Sequence, residues 1–120
     1  MYHARMPARP ALSAPLPPLG PVAAERMRRR AGEAAALLRV LANEQRLRVL
    51  CRLVEGECSV GGLLDELDLS QSALSQHLAV LREAGVVATR RSGQSVRYRL
   101  VEGPAQDVMA TLHDIFCSGD

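Results

Sequence analysis

Residues Ser70 to Gly85, SQSALSQHLAVLREAG, constrain this chain more than any other stretch. Leu74, Leu78 and Leu81 recur at i, i+4 and i+7 with Val80 at their edge, which predicts one apolar stripe on a helix. Ser70 is placed to cap that helix and Gly85 to end it. The opposite face carries Gln71, Ser72, Ser75, Gln76 and His77, hydrogen-bonding groups without full charge. An ordinary amphipathic surface helix shows Glu and Lys to solvent instead. Gln pairs bidentately with adenine and Ser reaches base edges or phosphate, so this face predicts a helix that reads DNA.

The flanking residues extend the pattern. Upstream, Ser59 caps a short helix over VGGLLDELD, with Leu63, Leu64 and Leu67 inward, and Leu69 and Ser70 turn into the reading helix. Two short helices joined by a tight turn, the second polar on its outer face, predict a helix-turn-helix. Downstream, the hydrophobic period changes from 3.6 to 2. VVATRR and SVRYRL predict a β-hairpin turning at Ser92-Gly93-Gln94, with Val96, Tyr98 and Leu100 on one face and Arg97 and Arg99 on the other. Arg90, Arg91 and Arg97 then lie near the tip of a wing, suited to phosphate or minor-groove contact.

Charge agrees with that assignment. The net +2 hides an uneven distribution: residues 70–100 hold five Arg against Glu83, whereas residues 101–120 hold four acids and no base. A polyanion would seek the wing and reading helix. All 15 basic residues are Arg, the better fork for phosphate and guanine.

The remaining segments complete a single small domain of 120 residues. Residues 1–22 hold six of the seven prolines, which predicts a disordered arm ahead of a folded domain over 23–120. From Val22 one long helix is expected, with Met27, Ala31, Ala34, Ala35, Leu38 and Leu41 forming a stripe for a dimer seam or for its own core. Asn43 caps a second helix, with Leu47, Leu50, Cys51 and Val54 expected inward. Pro104 opens a last helix whose Val108, Met109, Leu112, Ile115 and Phe116 make a face suited to a second subunit. No run reaches the length of a membrane span and no export h-region opens the chain, so a cytoplasmic location is expected. There the three Cys are expected as thiols, metal ligands or redox sensors rather than structural disulfides.

LANEQRLRVLCRLVEGE followed by SVGGLLDELDLSQSALSQHLAVLREAGVVATRRSGQSVRYRL resembles the ArsR/SmtB family of winged-helix repressors. The resemblance covers Leu38 to the C-terminus. It implies a mainly α fold with one β-hairpin, a homodimer formed by the first and last helices, binding to double-stranded operator DNA with an inverted repeat, and release by an inducer. Arsenic sensors of the family carry a C-V-C pair where this chain has Cys58-Ser59-Val60, so one thiol is missing. Zinc and nickel sensors carry D-x-H and H-x-x-H or H-x-x-E, whereas here Asp107 is followed by Met109 and His113 stands alone. No metal or cofactor is therefore expected.

The contexts of Cys51 and Cys117 resemble the reactive-sulfur-sensing branch, whose members are known as biofilm growth-associated repressors. That resemblance implies that Cys51 and Cys117 become linked on exposure to persulfide, polysulfide or another oxidant. Arg48 and Arg52 flank Cys51 and favour its thiolate, while a helix C-terminus opposes the anion at Cys117, so Cys51 is expected to attack first. Cys58 is expected to be structural. The alternatives are a thiolate metal sensor using Cys51, Cys58 and Cys117, a small thiol oxidoreductase, and an interaction module that has lost DNA. Lack of C-x-x-C speaks against the enzyme, and the intact Ser/Gln/His face speaks against the module.

Overall fold

Caps and leucine stripes determine where the helices of this chain begin and what they bury. The computed structural model describes residues 20–117. Its elements in order are α1 (Pro21–Arg29), α2 (Ala31–Leu41), α3 (Glu44–Val54), β1 (Cys58–Ser59), α4 (Val60–Glu66), α5 (Gln71–Glu83), β2 (Val87–Ser92), β3 (Ser95–Leu100) and α6 (Pro104–Cys117). Asn43 Oδ1 accepts from the Arg46 amide at 3.0 Å, Ser59 Oγ from Gly62 at 3.1 Å and Ser70 Oγ from Ala73 at 3.1 Å. Each cap satisfies an amide that the helix leaves open, a contribution of about 1 kcal/mol.

Val49 and Leu50 from α3, Leu63 from α4, and Leu74, Leu78 and Leu81 from α5 are fully buried. Burying each Leu contributes roughly 1.5–3 kcal/mol. This cluster clamps α5 between α3 and the sheet, so the face opposite its leucines must point to solvent. The strands form one antiparallel sheet in the order β1-β3-β2. Gly93 has φ 62 while Gln94 keeps a negative φ, the type II′ pattern that joins twisted strands through two residues. The winged helix-turn-helix is therefore present as expected.

Three local expectations change. Residues 1–19 of the expected arm lie outside the described residues, and Pro21 and Val22 are already helical, with Pro at the start of α1. The long first helix divides at Arg30, where φ −104 and ψ 11 break the helical run while its amide still reaches the Arg26 and Met27 carbonyls. On α3, the residues in the core are Val49, Leu50 and Leu53, whereas Cys51 and Val54 are exposed. The apolar set of α3 covers two adjacent faces, one packed in the core and one turned toward α6.

Candidate nucleic-acid interface and thiol cavity

The burial of Leu74, Leu78 and Leu81 aims the other side of α5 outward, and Gln71, Ser72, Ser75 and Gln76 are all exposed there. His77 is half-buried, at the flank between the polar face and the leucine stripe. Ser72 Oγ lies 3.3 Å from Ser70 Oγ, so its hydroxyl also touches the helix cap. Asp68 and Leu69 join α4 to α5, with the Leu69 amide donating to Leu67 at 3.0 Å. This tight turn fixes the second helix against the first.

The strand register divides the arginines that sequence alone groups at the wing tip. Arg90 pairs across from Arg97, Ala88 from Arg99, and Arg91 from Val96. Because strand side chains alternate, Arg90, Arg97 and Arg99 share one face and Arg91 lies on the other. Arg90 is also engaged. Its Nε donates to Glu57 Oε2 at 3.2 Å, and its Nη2 donates to Glu57 Oε1. The Arg90 guanidinium holds the Glu57 carboxyl below the usual carboxylate range, with Arg97 and Arg99 adding to the effect. Arg99 and Glu57 are the residues that sequence reasoning left out of the site. The Arg97/Arg99 alternation carried a signal for the first, but nothing local ties Glu57 to a residue 33 positions away.

The second candidate site is a cavity of about 690 Å³ between α3 and α6. Cys51 and Cys117 both line it, beside Val54, Met109, Leu112 and Phe116. Partial burial pushes the Cys51 thiol up, and the proximity of Cys117 and then Glu55 acts in the same direction. The expected activation of Cys51 by flanking arginines is therefore not found. Arg48 turns to Glu44 at 3.8 Å, and Arg52 Nε reaches Glu66 at 2.6 Å, so both guanidiniums are directed at carboxylates. Cys58 lies apart from this cavity. It is buried in the core, and a Cβ added to Gly62 would stand 2.7 Å from its sulfur.

Among the described residues, no group of three or more His, Cys, Asp or Glu is placed to hold a metal ion, and no helix is long and apolar enough to cross a membrane.

Comparison with known proteins identifies this architecture. The family described as "Bacterial regulatory protein, arsR family" matches residues 43–89, from the cap of α3 into β2. The chain is 43% identical over 100 residues to the transcriptional activator HlyU of Vibrio cholerae, covering 83% of this chain and 93% of that one. It is 46% identical over 100 residues to the biofilm growth-associated repressor of Agrobacterium fabrum, covering 83% and 86%. The crystal structure of the transcriptional repressor BigR from Xylella fastidiosa superposes with a TM-score of 0.73 at 46% identity, over 79% of this chain and 97% of that chain. These relatives are regulators of transcription, not enzymes. With its winged helix-turn-helix, the exposed polar face of α5 and relatives matched over most of their length, the chain belongs to the ArsR family of DNA-binding transcriptional regulators.

Proposed function

We propose that this regulator is a cytoplasmic homodimeric repressor that binds an inverted-repeat operator while its thiols are reduced and releases it when Cys51 and Cys117 are linked. Gln71, Ser72, Ser75, Gln76 and His77 read bases, and Arg90, Arg91 and Arg97 hold the backbone. Two reading helices related by a two-fold axis meet half-sites one helical turn apart, on the order of 34 Å. Exposed apolar side chains on α1, α2 and α6 (Val22, Met27, Leu38 and Phe116) support a second subunit.

The observation that carries the thiol switch is the shared cavity: α3 and the end of α6 each present one thiol to it. A thiolate of the pair attacks a sulfane sulfur of a persulfide or polysulfide, forming a protein S–S bond and expelling a thiolate. The second thiolate attacks the sulfur chain so attached and expels a second leaving thiolate or hydrosulfide, which closes a di- or polysulfide bridge. The bridge shifts the population toward an arrangement of the subunits in which both reading helices no longer meet successive major grooves. Guanidinium activation gives neither thiol precedence. A three-thiolate metal site has less support, because Cys58 lies in the core.

Mass spectrometry of polysulfide-treated protein, paired with DNA-binding titrations, tests this function. The expected result is a bridge joining Cys51 to Cys117 and loss of binding. Cys51→Ser and Cys117→Ser should each bind DNA normally but fail to release it, while Cys58→Ser still responds. An undiminished response from Cys51→Ser removes the mechanism.

A further inference from the structure

The wing carries an acid that binding to a polyanion does not call for. Glu57 stands just ahead of β1 at one edge of the sheet, and Arg90 lies on β2 at the other edge. Their side chains meet across β3 in a two-point ion pair. Ser59 pairs with Arg97, and Arg97 with Arg90, so Glu57, two positions before Ser59, falls on the face that carries Arg90, Arg97 and Arg99. Three guanidiniums on one face repel one another, and Glu57 is the carboxylate that meets them.

A free guanidinium on a wing attracts any DNA phosphate, and this sequence-independent attraction supplies nearly all non-specific binding. A guanidinium forked onto a carboxylate has its charge locally cancelled and two of its five N–H donors engaged. We propose that Glu57 attenuates the affinity of the wing for DNA by competing with phosphate for Arg90. Where the base contacts of α5 draw the wing onto the duplex, a DNA phosphodiester replaces the carboxylate on Arg90. The pair is suited to exchange because it is accessible: the Arg90 side chain is 54% exposed and that of Glu57 30%. Accessible pairs of this kind open readily. The inference rests on the wing facing DNA, as proposed above.

The test measures binding of the full chain to two duplexes across a salt series. One has random sequence, and the other is selected from a random pool by the wild-type protein. The variants are Glu57→Gln, Arg90→Gln and the double substitution, with thermal melts to verify folding. Freed of its carboxylate, Arg90 adds one phosphate contact, so Glu57→Gln should bind the random duplex about fivefold tighter with a salt slope steeper by about 0.9. Affinity for the selected duplex should rise at least as much, because there the wild type opens the Glu57 pair at a cost to binding, and both gains should vanish in the Arg90→Gln background. If Arg90→Gln weakens binding but Glu57→Gln leaves the random duplex unchanged, the wing contact stands and the role of Glu57 is overturned. A gain that persists without Arg90 also overturns it, because Glu57 then acts only through net charge. If Arg90→Gln binds both duplexes like wild type, the DNA-facing wing itself fails.

Discussion

The guanidinium of Arg52 lies 2.6 Å from the carboxylate of Glu66 and also donates to the Gly56 carbonyl at 3.2 Å. This contact ties α3 to the end of α4 and places the first helix of the helix-turn-helix. The same geometry aims Arg52 away from its sequence neighbour Cys51. Arg52→Gln should therefore lower stability by about 1 kcal/mol, measured by denaturant unfolding. Alkylation of Cys51 by iodoacetamide should stay within about twofold of wild type, since the guanidinium is not what sets its thiolate fraction. A large fall in that rate with stability unchanged would reverse the assignment.

Cys51 holds its proton more tightly than an ordinary thiol, mainly through burial. A raised value means less thiolate at any given pH, so its alkylation should climb through a midpoint above about 8.5, the reference for a free cysteine. Cys117→Ser removes one of the named causes and should move that midpoint down. A midpoint below the reference would show positive charge winning over desolvation.

The exposed face of α5 and the wing should differ in what they contribute. Gln76→Ala is expected to cost about 1–3 kcal/mol and to relax selectivity at one base position. Arg97→Gln should weaken all sequences alike and reduce the salt slope by about 0.9. Binding to a panel of single-base variants separates the two outcomes. Unchanged selectivity in Gln76→Ala together with altered selectivity in Arg97→Gln would exchange the roles.

Phe116 is 52% exposed and Leu38 55%, so a charge at either position does not disturb the core. If the proposed dimer forms through these faces, Phe116→Glu and Leu38→Glu should yield a folded monomer and abolish tight operator binding, as read by sedimentation velocity and DNA titration. Leu112 is a poorer probe of the same seam because it also packs on the core. A dimer that survives both substitutions would place the subunit interface elsewhere.

The parts of this fold that sequence reveals are those set by near neighbours along the chain. Ser70, the stripe Leu74–Leu78–Leu81 and Gly85 define α5 within sixteen residues, and the structure follows them. β1 escapes because two residues have no periodicity, and it exists only where Cys58 and Ser59 pair with Tyr98 and Arg97. The orientation of Cys51 escapes because α3 is apolar on two adjacent faces, and only the packing of α6 distinguishes them. Arg90 looks free in sequence, but Glu57 reaches it by way of the sheet. Local chemistry is legible in one dimension; long-range pairing is not.

The burial of Cys58 gives the chain two thiol clocks. Cys51 and Cys117 meet solvent in the native state, whereas the Cys58 sulfur sits in the core at 5% exposure and reacts only when the domain opens. Labelling all three in one experiment therefore times surface chemistry and native-state opening against each other. A bridge that merely loosened the domain would speed the Cys58 clock, and one that only repositions the subunits would leave it running at the same rate.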